Sequence, residues 1–552
     1  MCNRKKQILE IKNLNISLPK NSDREFAVRS VNIRVNRGEI LCIVGESGSG
    51  KSVMASAIMN DIPDTLKVKS GEIIFDGSDV FKMNASELRN IRGARISMIG
   101  QEPMAALNPG MRVGIQVDEV FELHQPKINK KQRYLETIKL FEQMGLPTPE
   151  RIYKSYPHQI SGGQSQRVAI AMALACKPDI LIADEPTTAL DVTTQAEILM
   201  LIKELKDVYD NAIILITHDF GVVADVADRV AVMCWGEIIE EGSKDVILLE
   251  PKEAYTKLLV DAMPSLETLR NPDFDREDSP TLKVENIHKI YGKGLDQVHA
   301  VNNASFVLRS GQTLGIVGES GSGKSTLAKV LVRLVSPDSG IISINGEDFL
   351  SLNGQDLITA RKNIQMVFQD PYGSLNPSQT VECMITRGLY LQGVAPKEAR
   401  KKAVDLLEKV GLTSAALKRK PRNFSGGQRQ RIGIARALSM GPDVVIADES
   451  VSALDLSVQK QVLLLLNELQ AQLKIAIIFI THDLRIAAQI SDNIAVMKSG
   501  EILEFGPAKE IFSKPQHNYT KTLLDAAPGK AWNPPRLSPE EAKRIANQVS
   551  RG

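Results

Sequence analysis

A ten-residue stretch, IVGESGSGKS, occurs twice in this chain, at residues 43–52 and again at 316–325. The two copies of its lysine, Lys51 and Lys324, lie 273 residues apart. Other segments recur in the same order at a similar distance: QEPMAALNP (101–109) as QDPYGSLNP (369–377), SGGQSQR (161–167) as SGGQRQR (425–431), ADEPTTALD (183–191) as ADESVSALD (447–455), and ITHD (216–219) as ITHD (480–483). A constant order at a nearly constant distance predicts a tandem duplication of one domain of about 260 residues.

The length of the chain supports two domains, because 552 residues exceed what one hydrophobic core usually organises. We predict a first domain at 1–264, a linker at 265–280, a second domain at 281–528 and a separate tail at 529–552. The linker, SLETLRNPDFDREDSP, contains five acidic residues and two prolines, so we expect it to be exposed. In the tail, Ser538-Pro539-Glu540-Glu541 predicts the beginning of a short charged helix.

Composition argues against several classes of protein. The 68 basic and 66 acidic residues nearly balance, which gives no electrostatic reason to expect a nucleic-acid partner. The five cysteines form no C-x-x-C pair, which argues against a disulfide framework or a zinc site. No apolar run approaches the ~18–20 residues that cross a bilayer, and charges interrupt the basic N-terminal stretch. We therefore expect a soluble protein that acts at a membrane only through partners.

Apolar strand-like runs alternate with helical segments in each repeat. ILIADE, VVIADE, IILITHD and IIFITHD are short apolar runs that end in polar residues, as buried parallel strands do. In parallel sheets, functional side chains gather at the carboxyl ends of the strands. Segments 115–160 and 381–423 interrupt this pattern with helix-rich sequence, and we predict that each forms an inserted helical subdomain.

The repeated stretch has the form G-x-x-x-x-G-K-S between an apolar strand and a helix, which predicts a phosphate-binding P-loop. Its backbone N–H groups would surround phosphate oxygens, the lysine would reach the β- and γ-phosphates of ATP, and the serine would ligate Mg²⁺. A purely structural glycine-rich turn is the alternative, and two matches in the same context disfavour it. The predicted ATP-binding residues are Gly45, Glu46, Ser47, Gly48, Ser49, Gly50, Lys51 and Ser52, and Gly318, Glu319, Ser320, Gly321, Ser322, Gly323, Lys324 and Ser325.

Two adjacent carboxylates end the same apolar strand in each repeat. Asp184 and Asp448 suit a metal-binding role, and Glu185 and Glu449, one residue further on, are placed to polarise an attacking water. The alternative is that such carboxylates cap the next helix, which an upstream P-loop makes less favourable.

The Ser-Gly-Gly-Gln segments place a serine at the beginning of a helix with two glycines behind it. Exposed N–H donors and the positive end of the helix predict a second anion site, which an ATPase with a single P-loop does not need. The residues concerned are Ser161, Gly162, Gly163 and Gln164, and Ser425, Gly426, Gly427 and Gln428.

Together these motifs resemble those of the ATP-binding cassette (ABC) ATPases over about 10–264 and 281–528. The resemblance implies an α/β fold of two tandem P-loop NTPase domains. Each would have a RecA-like, mostly parallel core, an antiparallel β subdomain and an inserted α-helical subdomain. It also implies that the halves pair within one chain, with ATP between the P-loop of one half and the Ser-Gly-Gly-Gln of the other. Both of these head-to-tail sites are expected to hydrolyse ATP, since neither lacks a catalytic residue.

The resemblance assigns further residues position by position. Gln101 and Gln369 match the glutamine that contacts Mg²⁺ and the water, Asp191 and Asp455 match the D-loop, and His218 and His482 match the histidine that contacts the γ-phosphate. A histidine at a strand end is otherwise more often a hydrogen-bonded bystander. Tyr291 suits the adenine-stacking position of the second half, whereas the first half has Leu18 there with Phe26 nearby, so its adenine contact stays open.

Differences between the copies mark where the two sites could diverge. Gly100 stands where the second copy has Phe368, and Ser450 stands where the first copy has Pro186. None of these exchanges removes a charge or a phosphate donor.

The QEPMAALNP and QDPYGSLNP segments resemble those of the ATPases of oligopeptide, dipeptide and nickel importers. The Pro-x-x-x-Tyr-Thr-Lys stretches at 251–257 and 515–521 resemble the C-terminal segment of the same group. This implies an ATPase subunit that energises peptide import at the cytoplasmic face of a bacterial inner membrane, with two permease subunits and an extracytoplasmic solute-binding protein. Some members carry an iron–sulfur cluster, which is not expected here because no cysteine lies in either C-terminal segment.

Alternatives to peptide import remain at this point. The same type of importer could carry glutathione or a nickel chelate. A soluble twin-ABC ribosome factor would usually have a long charged helical arm between its domains, and a DNA-repair ABC ATPase would have zinc-binding cysteines.

Overall fold

The computed structural model describes residues 6–20, 22–101, 106–187, 190–268, 270, 279–292, 297–370, 373–452 and 454–549. Parts of the predicted linker (269 and 271–278) and of the segments after Gln101 (102–105) and Gln369 (371–372) lie outside the described residues. The chain divides into two compact units. The first comprises Met1–Leu190, Thr194–Met263 and Ala531–Gly552, and the second comprises Asp191–Thr193 and Pro264–Lys530.

The first repeat alternates strands and helices along the described chain. Its strands are β1 (Gln7–Ser17), β2 (Phe26–Asn36), β3 (Ile40–Val44), β4 (Lys67–Phe75), β5 (Ser78–Asp79), β6 (Ile96–Ile99), β7 (Ile180–Asp184), β8 (Ala212–Thr217), β9 (Arg229–Cys234) and β10 (Glu237–Ser243). Its helices are α1 (Lys51–Ile58), α2 (Ala85–Ile91), α3 (Val113–His124), α4 (Lys130–Gln143), α5 (Pro149–Lys154), α6 (Gly162–Leu174), α7 (Val192–Tyr209), α8 (Phe220–Val226), α9 (Lys244–Leu249) and α10 (Ala254–Ala262). Short 3₁₀ helices lie at Val80–Lys82 and Pro157–Gln159.

The second repeat follows the same plan. Its strands are β11 (Leu282–Tyr291), β12 (Val298–Leu308), β13 (Thr313–Val317), β14 (Ser339–Ile344), β15 (Glu347–Asp348), β16 (Ile364–Val367), β17 (Val444–Asp448), β18 (Ala476–Thr481), β19 (Asn493–Lys498) and β20 (Glu501–Pro507). Its helices are α11 (Lys324–Leu331), α12 (Gly354–Ala360), α13 (Val381–Leu391), α14 (Pro396–Lys409), α15 (Gly426–Leu438), α16 (Leu456–Leu473), α17 (Leu484–Ile490), α18 (Ala508–Ser513) and α19 (Asn518–Asp525), and α20 (Pro539–Val549) follows. Short 3₁₀ helices lie at Arg361–Asn363, Ser414–Lys418 and Pro421–Asn423.

Each repeat contains two sheets of matching topology. An antiparallel sheet has the order β2-β1-β4-β5 in the first repeat and β12-β11-β14-β15 in the second. A larger sheet has the order β10-β9-β3-β8-β7-β6 and, in the second repeat, β20-β19-β13-β18-β17-β16. Its strands are parallel except β10 and β20, which run antiparallel to their neighbours. The predicted α/β fold is therefore confirmed.

The strands that were predicted from short apolar runs are buried along their whole length. Every residue of β3, β7 and β8, and of β13, β17 and β18, is buried. In the first unit, Met54 and Ile58 of α1 share a core with Ile11 of β1 and Ile214 of β8. Burial of these apolar side chains therefore joins the antiparallel sheet, the helix and the parallel sheet into one body.

The helical insertions also lie where the sequence predicts them. Helices α3, α4 and α5 occupy the segment predicted at 115–160, and α13 and α14 occupy the segment predicted at 381–423. Among the residues that the structure describes, every helix is too short or too polar to pass through a lipid bilayer.

The tail begins as predicted, but it is not separate. Ser538 Oγ accepts from the Glu541 N–H at 3.3 Å, and the Glu541 carboxylate accepts from the Ser538 N–H at 3.1 Å, which is the predicted capping arrangement. Helix α20 then packs on α10 of the first unit. Just before it, an Arg536 Nη1 donates to the carbonyl oxygens of Asp261 (2.8 Å) and Met263 (2.7 Å).

The part of the linker that the structure describes is partly anchored rather than fully exposed. Ser265 is buried, and the Arg270 guanidinium donates to Thr313, Asn467, Gln470 and Asp492. The acidic composition predicted an exposed linker. It gives no sign that one arginine of the linker would bind acceptors near the beginning of β13.

Candidate functional site

The two P-loops have the same conformation around a buried lysine. Lys51 Nζ donates to the carbonyl oxygens of Gly45 (2.7 Å) and Glu46 (2.9 Å), and Lys324 Nζ donates to those of Gly318 and Glu319, both at 2.7 Å. Burial lowers the pKa of Lys324. Both loops hold their lysine beside the beginning of a helix, where an anion is favoured.

The last glycine of each P-loop is required by its backbone and its surroundings. Gly50 has φ +107°, and a Cβ there would lie 2.4 Å from the Ala27 carbonyl oxygen. Gly323 has φ +103°, and its Cβ would lie 2.1 Å from the Ala300 carbonyl oxygen. Any other residue would be strained in conformation and would collide with β2 or β12.

The P-loop serine and the strand-end aspartate come together in both units. Ser325 Oγ donates to Asp448 Oδ1 at 3.2 Å, and Ser52 is hydrogen-bonded to Asp184. Burial raises the pKa of Asp184 and of Asp448, which means that each carboxylate lacks part of its usual solvation. A hydroxyl beside a buried carboxylate suits Mg²⁺, which prefers oxygen ligands and would offset that loss.

Each predicted catalytic glutamate lies between a glutamine and a histidine. Gln101 Nε2 donates to Glu185 Oε2 at 3.0 Å, and His218 Nδ1 lies 3.1 Å from Glu185 Oε1. In the second unit, Gln369 Nε2 donates to Glu449 Oε2 at 2.7 Å, and His482 Nδ1 lies 3.4 Å from Glu449 Oε1. The sheet register explains this, since β7 and β8 end side by side and their polar residues follow at one edge.

The electrostatics of these groups favour a charged glutamate. Burial disfavours ionisation of Glu449, but the hydrogen bond and charge of His482 outweigh it, so the pKa of Glu449 lies below its ordinary value. The same interaction raises the pKa of His482 although burial opposes the change, and Glu185 raises the pKa of His218 in the same way. A glutamate that stays ionised is available to accept a proton from water.

Both glutamates have a left-handed backbone. The φ angle is +48° at Glu185 and +42° at Glu449, a region that is uncommon for residues other than glycine. Their N–H groups donate to the carbonyl oxygens of Ile216 and Ile480, each at 2.9 Å, which holds the turn against the neighbouring strand. The sequence gives no signal for this conformation, and strained backbone of this kind concentrates at functional sites.

The Ser-Gly-Gly-Gln segments begin helices α6 and α15 with a capping box. The Ser161 hydroxyl accepts from the Gln164 N–H at 3.2 Å, and the Gln164 side chain accepts from the Ser161 N–H at 3.1 Å. Ser425 and Gln428 repeat the arrangement at 3.4 and 3.2 Å. The predicted helix N-termini are therefore present.

The two glycines of each segment differ in their surroundings. A Cβ on Gly163 would lie 2.8 Å from Thr194 Cγ2, and one on Gly427 would lie 2.2 Å from Val458 Cγ1, so close helix packing requires these glycines. A Cβ on Gly162 would meet nothing within 4 Å, and one on Gly426 would make an ordinary contact at 3.7 Å with Leu454. Only the first glycine faces space that a ligand could use.

An open cavity of about 660 Å³ in the second unit connects the predicted residues. Lys324, Ser325, Gln369 and Glu449 line it, together with Ser320, Gly321 and Gly323 of the P-loop. Val298, His299 and Ser499 also line it, and the sequence analysis missed them because neither strand β12 nor the turn after β19 carries a chemical motif. Tyr291 is outside this lining, and Val298 is its partner across the β11–β12 pair.

The D-loop aspartates lie at the beginning of the next helices. Asp191 Oδ1 accepts from the Thr193 hydroxyl at 2.8 Å just before α7, and Asp455 immediately precedes α16. These positions follow from the chain order, since each strand-end carboxylate pair leads through the D-loop into a helix.

The surroundings of the first P-loop contain two further residues that the sequence analysis missed. Trp235 occupies the position that Ser499 holds in the second unit, at a turn with positive φ in both. Its ring is 63% exposed, and the Arg24 guanidinium lies 5.4 Å from the ring centroid. Arg24 also donates to the Gly48 carbonyl oxygen of the P-loop. Neither residue belongs to a repeated motif, so local sequence carries no signal for them.

Two family models match the chain. The model described as "ABC transporter" matches residues 28–188 and 301–452. The model described as "Oligopeptide/dipeptide transporter, C-terminal region" matches residues 239–292 and 503–549. Both models therefore match once in each half.

Known proteins are similar over nearly the whole chain. A glutathione import ATP-binding protein of Escherichia coli (strain K12) is 43% identical, covering 94% of this chain and 89% of the relative. The protein of the same name from Salmonella typhimurium is 44% identical, covering 95% and 90%. A solved dimeric ATP-binding cassette with ADP and Pi is 30% identical over 41% of this chain and 98% of its own, with a TM-score of 0.38. The duplicated P-loops, the paired family matches and the two glutathione import ATP-binding proteins together show that the chain belongs to the ABC transporter family of ATP-binding proteins and is an ATPase.

Proposed function

We propose that the chain is the ATP-hydrolysing subunit of a bacterial importer of small peptides. The observation that carries this proposal is the identity of 43–44% with glutathione import ATP-binding proteins over 94–95% of the chain. Glutathione, a tripeptide, is the first substrate to test. The oligopeptide/dipeptide C-terminal regions in both halves support a peptide substrate.

The proposed chemistry is attack of a water on the γ-phosphorus of ATP in each half, which breaks the bond to the β–γ bridging oxygen and releases ADP and phosphate. Glu185 and Glu449 each accept a hydrogen bond from the water in their own half, and each then accepts a proton from it. The short contacts of Glu185 with Gln101 and His218 support this role, because they fix both carboxylate oxygens. His218 and His482 are proposed to contact the γ-phosphate, and Lys51 and Lys324 to bind the β- and γ-phosphates.

Mg²⁺ is the proposed metal, and it would neutralise charge on the phosphate oxygens when bound. Its proposed ligands are Ser52, Gln101 and Asp184 in the first half and Ser325, Gln369 and Asp448 in the second. The hydroxyl–carboxylate pairs at the beginning of α1 and α11 support this assignment.

We further propose that 1–264 and 281–528 act as two ATPase domains that pair head to tail. ATP would then lie between the P-loop of one and the Ser-Gly-Gly-Gln of the other, near Asp191 and Asp455, with Tyr291 close to one adenine. The open space at Gly162 supports a ligand-facing role for the first glycine of that segment.

The proposed partners are two membrane permeases and an extracytoplasmic solute-binding protein. The chain would act at the cytoplasmic face of the inner membrane, where closure of the two domains on ATP would drive the permeases to release the peptide inward. No nucleic-acid partner is proposed.

Uptake of labelled glutathione by cells tests the proposed function. Cells whose only copy carries Glu185→Gln and Glu449→Gln should take up labelled glutathione at background rate, while cells with Glu142→Gln, an exposed change on α4, should match the unmodified strain. Parallel assays with a labelled dipeptide and a nickel chelate identify the substrate.

A pull-down from detergent extracts tests the proposed partners. The tagged chain should recover two hydrophobic permeases that stimulate its ATPase activity. Recovery with ribosomes and no permease would reject import in favour of a soluble ribosome factor.

A further inference from the structure

Each unit holds the first turn of its P-loop with a tyrosine hydroxyl from the C-terminal part of its repeat. The Tyr255 hydroxyl oxygen accepts from the N–H of Glu46 at 3.2 Å, and the Tyr519 hydroxyl oxygen accepts from the N–H of Glu319, also at 3.2 Å. The partners are 209 and 200 residues apart in the chain. The same contact therefore forms independently in both halves.

The residue that makes this contact also supports the phosphate-binding lysine. The carbonyl oxygen of Glu46 accepts from Lys51 Nζ at 2.9 Å, and that of Glu319 accepts from Lys324 Nζ at 2.7 Å. One residue is therefore held at its N–H by the tyrosine and at its C=O by the lysine. The direction of that carbonyl, and with it the position of the lysine, depends on how the residue is held.

The tyrosines are themselves fixed by a second repeated arrangement. In the first unit, the Glu240 carboxylate on β10 accepts from the N–H groups of Lys252 (2.8 Å) and Glu253 (3.1 Å), in the turn before α10. In the second unit, Glu504 on β20 accepts from Gln516 and His517 at 2.8 and 3.1 Å, in the turn before α19. In each unit, a glutamate on the last strand of the larger sheet therefore fixes the turn from which the helix that carries the tyrosine begins.

We propose that Tyr255 and Tyr519 are positioning residues, which hold the P-loop in its ATP-binding form before the nucleotide arrives. This inference rests on the proposed role of the P-loops in binding ATP. Both tyrosines lie in the segments that match the oligopeptide/dipeptide C-terminal region, so the inference also gives that region a task in nucleotide binding. Burial raises the pKa of Tyr519 to about 12, so the hydroxyl stays neutral at physiological pH.

The expected effect follows from preorganisation. Without the hydroxyl, the Glu46 N–H loses its acceptor and the first turn of the loop becomes mobile. ATP must then order the loop when it binds, which weakens binding by roughly 3- to 10-fold. The ordering occurs before the chemical step, so KM should rise while kcat changes little.

The test replaces both tyrosines by phenylalanine in the full-length protein. Steady-state ATP hydrolysis in the presence of Mg²⁺ should show KM raised by roughly 3- to 10-fold and kcat within about 2-fold of the unmodified protein. Hydrogen exchange at the amides of Glu46 and Glu319 should become faster. Tyr153→Phe is the matched control, because it removes a hydroxyl that donates to Asp118 at 2.5 Å in the helical insertion.

Two results would overturn the inference. They are an unchanged KM in the double variant, whether or not kcat falls, and an equal rise of KM in Tyr153→Phe. If the unmodified protein itself bound no ATP, the proposed function would be wrong as well. Failure of the proposed function is therefore distinguishable from failure of the positioning role alone.

A second pair of variants covers the case in which the phenylalanine protein does not fold. Glu240→Gln with Glu504→Gln keeps the hydroxyls but weakens the turn that places them. A smaller rise of KM, in the same direction, is expected. A KM equal to that of the unmodified protein, with unchanged exchange at Glu46 and Glu319, would contradict the proposed chain of contacts.

Discussion

The segments that follow the two histidines differ most in their chemistry at one position, where the first half has Gly221 and the second has Arg485. Up to that point the loops are built alike. In each, the aspartate after the histidine donates its N–H to a threonine hydroxyl at 3.0 Å. Its side chain then accepts from the N–H of Gly221 at 2.7 Å or of Arg485 at 2.8 Å.

Arg485 adds contacts that a glycine cannot make. Its guanidinium binds both oxygens of Asp483, at 3.1 and 2.8 Å, and donates to the Pro528 carbonyl oxygen at 3.2 Å, while the residue is only 8% exposed. The second histidine is therefore next to a loop that is anchored to the end of its own unit. The two halves share their catalytic groups, and they differ in how firmly those groups are supported.

The largest effect is expected from the groups that the halves share. Because Glu185 and Glu449 have matching contacts, each single Glu→Gln change should lower turnover to a similar extent, and the double change should lower it by roughly 10²–10⁴. Phosphate release in the steady state measures this, with Glu142→Gln as the control. A single variant that keeps full turnover would break the equivalence of the two catalytic sites.

A smaller effect, on the free energy of unfolding, is expected from the Arg485 side chain, which replaces the glycine of the first half. Arg485→Ala leaves the half-buried Asp483 carboxylate without its ion pair, which should cost roughly 1–3 kcal/mol of stability. Calorimetry should show one unfolding transition lowered by roughly 2–10 °C. Arg422→Ala, at an exposed arginine of the same half, should leave both transitions in place. An unchanged unfolding temperature in Arg485→Ala would show that Arg485 does not hold the loop after His482 more firmly than the loop after His218 is held.

The left-handed backbone at the catalytic glutamates should change the free energy of unfolding by a similar or smaller amount. Glu185→Ala and Glu185→Gly both lose the carboxylate, but only glycine is relaxed at φ +48°. The glycine variant should be more stable by roughly 1–2 kcal/mol, and the same should hold at Glu449. At Glu136, an exposed residue in the middle of α4, the order should reverse, since glycine weakens a helix. Equal stability of the Ala and Gly variants at Glu185 would show that the turn is unstrained.

The smallest effect is expected at Trp235, whose equivalent position in the second half is occupied by Ser499. With Trp532→Phe, Trp235 is the remaining tryptophan of the two, so ATP binding should change its fluorescence. Trp235→Ala should weaken ATP binding at the first site by roughly 2- to 5-fold, because Arg24, which donates to the Gly48 carbonyl oxygen of the P-loop, loses the ring beside it. No change in fluorescence on saturation with ATP would place the nucleotide away from this side of the loop.

Much of the site could be predicted because local sequence determines it. The buried runs that became β7 and β17 are entirely apolar and end in Asp-Glu, a pattern that suits few structures other than a parallel strand with functional residues at its end. The P-loop was equally readable, since its glycines are required by positive φ angles and close backbone contacts.

The rest depends on contacts between distant residues. The bond between Tyr255 and Glu46 joins residues 209 positions apart, and no local pattern announces it. The positive φ at Glu185 has no signature either, because glutamate rarely adopts it. The tail was expected to be separate because its charged composition resembles that of an exposed segment, whereas Arg536 finds two backbone acceptors next to α10.

The return of the tail to the first unit has a consequence for biosynthesis. Residues 531–549 are made after the whole second unit, so the first unit can acquire helix α20 only once the second has been synthesised. If the halves were encoded as two separate polypeptides divided at the linker, the first would lack this helix and the second would carry it on a different polypeptide from α10, the helix on which it packs. Fusion of the two halves thus supplies the first with a part that its own portion of the message does not encode.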